Sequence, residues 1–155
     1  MEITIPQTIK GYRLIERIGS GGFGAVYRAR QSTVNREVAL KVILPGLANQ
    51  PDFIRRFETE AMLIARLEHP HIVPLYDYWR DQTGAYLVMR YLKGGSLRYV
   101  LETEDKLGIS AIGTIMEQIC NALDLAHRSQ VIHRDIKPDN ILLDEDGNAY
   151  LADFG

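Results

Sequence analysis

His133-Arg134-Asp135-Ile136-Lys137-Pro138-Asp139-Asn140, followed thirteen residues later by Asp153-Phe154-Gly155, is the stretch on which the reading of this chain turns. Any one of its aspartates could be a turn former. Together, Asp135, Lys137 and Asn140 beside a second aspartate, Asp153, offer a base for a hydroxyl, a cation for a phosphate and hard oxygen ligands for Mg²⁺. Those are the parts that phosphoryl transfer needs.

Working outward, Ile141–Leu143 and Ala149–Leu151 flank Asp144-Glu145-Asp146-Gly147-Asn148, a turn signal between two short strands. The turn resembles the start of a calcium loop, but no glutamate stands at loop position twelve and strands flank it where an EF-hand needs helices. Upstream, Ser110 is a candidate cap for a core helix with the apolar stripe Ile112, Ile115, Ile119, Leu123 and Ala126. Cys120, the one cysteine, is expected to pack beside Ile119 and Leu123, and no disulfide can form within the chain. Lys93-Gly94-Gly95-Ser96 breaks helix and strand alike and marks a boundary, with Ser96 able to cap a short helix. Before it, Ile72–Tyr78 and Ala85–Tyr91 read as a hairpin. From Asp52 to Leu67, Phe53, Phe57, Ala61, Ile64 and Leu67 recur at helical spacing. His69 and His71 bracket Pro70 at that helix's exit and have no evident metal partner.

The remaining chemistry lies near the start. Gly19-Ser20-Gly21-Gly22-Phe23-Gly24 satisfies G-x-G-x-x-G, which lets backbone N–H groups approach phosphate oxygens with no Cβ in the way. Alone the pattern is weak, and a plain glycine-rich hairpin would also carry it. A dinucleotide fingerprint would start a helix at the last glycine, whereas Ala25-Val26-Tyr27-Arg28 continues as a strand. Lys41 shares a strand face with Ala39. Glu60, three residues after Phe57 and four before Ile64, falls inside the helix's buried stripe. A carboxylate so placed either snorkels to solvent or needs a cation, since stripping a buried charge of its partner costs about 3–5 kcal/mol. Lys41 is the natural candidate.

With these residues in place the chain resembles a eukaryotic-type serine/threonine protein kinase from about Gly11 to Gly155. The phrase His69-Pro70-His71-Ile72-Val73 resembles the bacterial branch. The resemblance implies an α+β, protein kinase-like fold: a five-stranded antiparallel small lobe with one long helix, then the first part of a helical large lobe. Residues 1–10 would be a leader, 11–92 the small lobe and hinge, and 93–155 the start of the large lobe, broken off at Asp-Phe-Gly. The implied reaction is Mg²⁺-dependent transfer of the ATP γ-phosphate to protein serine or threonine hydroxyls. Asp135 would be the catalytic base, Lys137 would contact the transferring phosphate, and Asn140 and Asp153 would hold metal. Lys41 and Glu60 match the family's strand lysine and control-helix glutamate. Gly19, Ser20, Gly21, Gly22, Phe23 and Gly24 would cover the phosphates, Ile18, Val26, Ala39 and Leu142 would sandwich the adenine, and Met89-Arg90-Tyr91-Leu92 matches the gatekeeper and hinge. Arg90 departs from the acidic residue frequent there. Ile64, Leu75, His133 and Phe154 match an apolar spine, so His133 is expected to be structural.

Lys137, two residues after the base, resembles serine/threonine and not tyrosine kinases, and Arg134 beside Asp135 resembles kinases controlled by activation-loop phosphorylation. The implied partners are ATP and protein substrates, with a dimer of the full-length protein compatible with the family. Two other readings stand beside this one: a pseudokinase acting as a binding module, against which Lys41, Asp135, Asn140 and Asp153 argue, and a small-molecule kinase of the aminoglycoside-phosphotransferase type, which typically lacks the Arg-Asp-x-Lys-Pro pattern. Composition adds exclusions. Eighteen basic and twenty acidic residues, interspersed, give no basic stripe for nucleic acid, and no run suggests a membrane span or signal peptide. A reducing, cytoplasmic setting is expected. The 155 residues are expected to be inactive by themselves, the stripe Ile112, Ile115, Ile119, Leu123 facing a missing part.

Overall fold

The computed structural model describes residues 7–21 and 24–154, so Gly22, Phe23 and Gly155 lie outside the described residues. The chain divides into two compact units, Met1–Glu58 with Leu75–Tyr91, and Thr59–Pro74 with Leu92–Gly155.

The first unit is a sheet of β1 (Thr8–Ile9), β2 (Tyr12–Gly21), β3 (Gly24–Gln31), β4 (Arg36–Ile43), β5 (Leu75–Asp81) and β6 (Gly84–Arg90), in the order β1-β2-β3-β4-β6-β5. All neighbours are antiparallel. The strand count is six where five were expected. Lys10 and Gly11 take positive φ values of 45° and 83°, turning the chain so that Thr8 and Ile9 pair with Arg13 and Tyr12. Alternation then sorts the side chains of the sheet. One face buries Tyr12, Ala29, Val38, Leu40, Val42, Tyr86 and Val88, with Trp79 stacked on Tyr86 at 4.8 Å. On the opposite face Ile43, Ala85 and Leu87 meet Phe53 and Phe57. Those phenylalanines come from α2 (Pro51–Ala65), which follows the single turn α1 (Pro45–Ala48).

In the second unit, Ser96 Oγ accepts a hydrogen bond from Tyr99 N at 3.1 Å and caps α3 (Leu97–Thr103), as its sequence position predicts. The longer helix, α4 (Ile109–Arg128), starts two residues earlier than a Ser110 cap would place it. Gly108 occupies the cap position with no side-chain hydrogen bond, and Ser110 lies inside the first turn, its carbonyl accepting from Thr114 Oγ. Ile115, Ile119, Ala122 and Ala126 bury against a small sheet of β7 (Gly95–Ser96), β8 (Ile141–Leu143) and β9 (Ala149–Leu151). Ile115 and Ile119 therefore serve the core of this unit itself, not a face awaiting cover. Ile112, at 42% exposure, falls outside that core. Cys120 is exposed, a correction to the expected packing: one residue is a rotation of about 100°, which carries it off the face of Ile119.

Candidate active site

In the first unit, β2 and β3 run antiparallel as far as Gly21 opposite Gly24. A Cβ on Gly24 would lie 1.9 Å from the Val42 carbonyl oxygen, so this glycine is required by the close approach of β3 to β4. β3 continues to Gln31, so the glycine pattern joins two strands and starts no helix. Register places Val26 opposite Lys41, Arg28 opposite Ala39, Leu87 opposite Lys41 and Met89 opposite Ala39. Val26, Ala39, Lys41 and Met89 thus share one sheet face, the face on which Ile43 packs with Phe57. Ile18 falls at a register shift between Arg17 and Gly19 and is 43% exposed. Gly19 and Ser20 lie in β2 ahead of it, and Arg90 ends β6.

In the second unit the loop after α4 is built around two buried polar side chains, His133 and Asn140. His133 Nδ1 accepts from Asp135 N at 3.2 Å, which assigns the ring proton to Nε2, and Nε2 donates to the Ala152 carbonyl at 2.6 Å. Its ring lies 4.7 Å from that of Phe154. His133 therefore ties Asp135 to the segment carrying Asp153. A 3-10 turn, Pro138–Asn140, then points the Asn140 amide back at Asp135. Asn140 Nδ2 donates to the Asp135 carbonyl at 2.8 Å and to Asp135 Oδ2 at 3.0 Å. Lys137 Nζ reaches the same Oδ2 at 3.1 Å. The hydrogen bond from Lys137 is the chief cause that holds the Asp135 carboxyl below the usual carboxylate range; desolvation opposes it and the Asn140 amide adds to it. Asp135 is exposed, so the charged carboxylate is both fixed and accessible.

Ala152 N donates to the Asn140 carbonyl at 2.9 Å, which holds the residue before Asp153 beside the loop. With Nδ2 committed to Asp135, the Asn140 side chain keeps its amide oxygen for a cation, and with the Asp153 carboxylate this is a hard-oxygen set suited to Mg²⁺. Leu142 lies in β8, opposite Ser96. The second unit thus brings together Asp135, Lys137 and Asn140, with Asp153 on the segment His133 binds. Leu92 also belongs to this unit and is buried. Lys41 belongs to the first unit and the half-buried Glu60 of α2 to the second, each placed by its own element.

Sequence reasoning passed over several residues that shape these loops. Arg98 Nε of α3 meets both carboxylate oxygens of Asp139 at 3.1 and 3.2 Å. Gln118 of α4 accepts from Ala149 N at 2.8 Å and donates to Asn148 at 3.1 Å, bracing the β8–β9 turn. Asp144 accepts from the backbone of Asp146 and Asn148, which makes the calcium-like segment a hairpin turn. A polar residue on the buried side of a helical stripe was the available signal for Gln118. Arg98 carried none. Among the described residues no group of three or more His, Cys, Asp or Glu side chains is placed to hold a metal ion.

The family described as Protein kinase domain matches residues 12–155. The serine/threonine-protein kinase PrkC of Bacillus subtilis is 42% identical over 144 residues, covering 93% of this chain and 22% of that protein. The serine/threonine-protein kinase PknE of Mycobacterium bovis is 41% identical over the same share of this chain and 25% of its own length. PknD of Mycobacterium tuberculosis, another serine/threonine-protein kinase, is 42% identical, with 22% of its length covered. The chain therefore spans a quarter or less of each of these relatives.

Proposed function

Because the chain belongs to the protein kinase domain family, we propose that it is the nucleotide-binding and catalytic-loop part of a serine/threonine protein kinase, transferring the ATP γ-phosphate to protein hydroxyls. The observation that carries the reading is the Asp135 carboxylate, held between the Asn140 amide at 3.0 Å and the Lys137 ammonium at 3.1 Å while exposed to solvent. A carboxylate kept ionised and fixed in direction can accept a hydrogen bond from a substrate hydroxyl, aim its oxygen, and take its proton as the O–P bond forms. Lys137 shares that oxygen and is suited to steady a phosphoryl oxygen next to it. Bound at Asn140 and Asp153, Mg²⁺ would supply neutralisation of phosphate charge. Lys41 and Glu60 are proposed in the roles the sequence resemblance gives them, orienting phosphates and orienting that lysine. Gly19, Ser20, Gly21 and Gly24 offer backbone to the phosphates, and Ile18, Val26, Ala39, Met89, Arg90, Leu92 and Leu142 the adenine environment. Phosphoryl transfer has little covalent chemistry for a protein to perform, so fixed geometry is the main contribution such a loop can make.

No helix among the described residues is long and apolar enough to cross a membrane, and we place the domain's work in the cytoplasm, where ATP is available. We also propose that these 155 residues do not sustain turnover by themselves, because the family's peptide-docking surface would come from outside them. The test is transfer of radiolabelled phosphate from Mg-ATP to a generic basic protein, by this chain and by a chain extended through the rest of a kinase domain. The extended chain should label the acceptor on serine and threonine, and Asp135→Asn should abolish labelling. Labelling that survives Asp135→Asn would overturn the assignment of the base, and equal turnover by the two chains would overturn the claim that this one is incomplete.

A further inference from the structure

We infer that a charged network at the root of the glycine hairpin, Glu16–Arg28–Glu37–Arg30 with Tyr91 against it, positions that hairpin and so sets affinity for the phosphates of the nucleotide rather than for its base. The inference rests on the nucleotide reading above. It starts from the backbone. The pairing of β2 with β3 shifts register twice, between Leu14 and Glu16 and again between Arg17 and Gly19, so Glu16 and Arg17 form a short pinned segment between two bulges. Bulges interrupt the ladder and increase local twist, leaving the strand that leads into Gly19 and Ser20 weakly registered by its backbone alone.

Side chains restore that register. Glu16 lies opposite Arg28, Arg28 opposite Ala39, and Arg30 opposite Glu37, so all four charged residues sit on the face that carries Val26, Ala39 and Lys41. Arg28 uses both ends of its fork: Nη1 donates to Glu16 at 2.6 Å and Nη2 lies 3.3 Å from Glu37. Arg30 Nη2 reaches the same Glu37 oxygen at 3.2 Å. One guanidinium thereby links β2 to β4 across β3. Its centre also lies 5.7 Å from the Tyr91 ring, just past the end of β6. Arg28 and Glu37 are half-buried, with side-chain exposures of 29% and 26%, so water screens this network less than a loose surface pair. The charges support one another: burial opposes the Arg28 charge, but Glu37 and Glu16 outweigh it and raise its pKa, while Arg30 and Arg28 overcome desolvation at Glu37 and lower its pKa. A planar fork can satisfy two carboxylates on different strands where a single ammonium cannot.

The network is neutral in sum, two arginines with two glutamates, so steering of an anionic ligand by net charge is not its role. Its mechanical effect falls on the strand entering Gly19, Ser20 and Gly21, which the reading assigns to phosphate; of the residues assigned to adenine only Ile18 shares that strand, while Val26, Ala39 and Met89 lie on strands whose β3–β4 and β4–β6 register is unbroken. Arg28, Glu16 and Glu37 are thus positioning residues.

The test compares affinities of the full chain for Mg-ATP and for adenosine, which lacks phosphates, by titration calorimetry. Arg28→Met keeps the aliphatic stem and removes both ionic arms. It should weaken Mg-ATP by about fivefold or more while adenosine stays within about twofold. Arg28→Lys should fall between wild type and Arg28→Met, and it serves as the main variant if the methionine form does not fold. Loss of both affinities in parallel, or an unchanged ratio in the lysine and methionine forms, overturns the inference while leaving the nucleotide reading intact. Wild-type protein that binds neither ligand overturns that reading and the inference with it.

Discussion

Replacing His133 by phenylalanine separates a structural histidine from a catalytic one. Phenylalanine keeps a ring to face Phe154, now 4.7 Å away, but it can neither donate to Ala152 O nor accept from Asp135 N. The Asp135 amide is on an exposed residue and can turn to water. The Ala152 carbonyl cannot, because its residue is 7% exposed, and a buried acceptor left without a donor costs about 1–3 kcal/mol. With a urea m-value of about 2 kcal/mol/M, that loss lowers the midpoint by about 0.5–1.5 M. Far-UV circular dichroism follows the change in the unit containing α4, while fluorescence of Trp79, the single tryptophan, reports the first unit separately. In an extended, active chain turnover should also fall by about tenfold or more, since the loop loses the tether that aims Asp135. A midpoint within about 0.2 M of wild type would refute the claim that this ring bridges the two segments.

Three further outcomes are expected. Lys41→Met in an extended chain should lower turnover at least about tenfold with an unchanged circular dichroism spectrum, and activity within about twofold of wild type would remove Lys41 from the site. Asp153→Asn should weaken Mg²⁺-dependent nucleotide binding, because an amide keeps the shape and loses the charge; equal Mg-ATP affinity by calorimetry would show that Asp153 is no ligand. Lys137→Met should move the Asp135 titration, followed by carbon-13 NMR of its carboxyl, to higher pH. A carboxyl whose folded pKa is depressed contributes stability above its unfolded pKa, lost as pH falls through the folded value. Removing the principal cause of the depression raises that folded value, so the acid limb of activity should move upward with it; an unmoved titration would assign the depression elsewhere.

Most of this was legible because the chemistry comes in short, rigid spacings. The strand after Gly24 excluded a dinucleotide fold by itself, and the Ser96 cap, the α4 stripe and the β8–β9 turn were local signals that local structure obeys. What escaped depended on geometry that a pattern does not encode. Cys120 reads as packed because its neighbours are apolar, yet a rotation of one residue carries it to the outward face. Ser110 has the side chain of a cap, but Gly108 already holds the extended conformation at which the helix begins. Glu16, Arg28, Glu37 and Arg30 look like ordinary surface charges until the strand register places them on one face, and that register includes two bulges with no signature in the sequence.

The same dependence on pairing explains two backbone conformations in the catalytic loop. Arg134 and Asp153 have φ values of 71° and 52°, in the left-handed region that non-glycine residues seldom occupy and that costs about 1–3 kcal/mol to hold. Each directly follows a member of the hydrogen-bonded pair His133 and Ala152. A left-handed residue reverses the direction in which the next group points, so one turns the chain into Asp135 and the other sets the backbone at the proposed Mg²⁺ ligand. The 2.6 Å bond between His133 and Ala152, the bond from Asp135 N to the same ring, and the bond from Ala152 N to the Asn140 carbonyl fix both turns from several sides at once. Strain at a functional loop persists only where its surroundings over-determine it. The buried histidine therefore holds two unfavourable turns in place, which accounts for its near-complete burial beside the exposed Asp135 carboxylate proposed as the base.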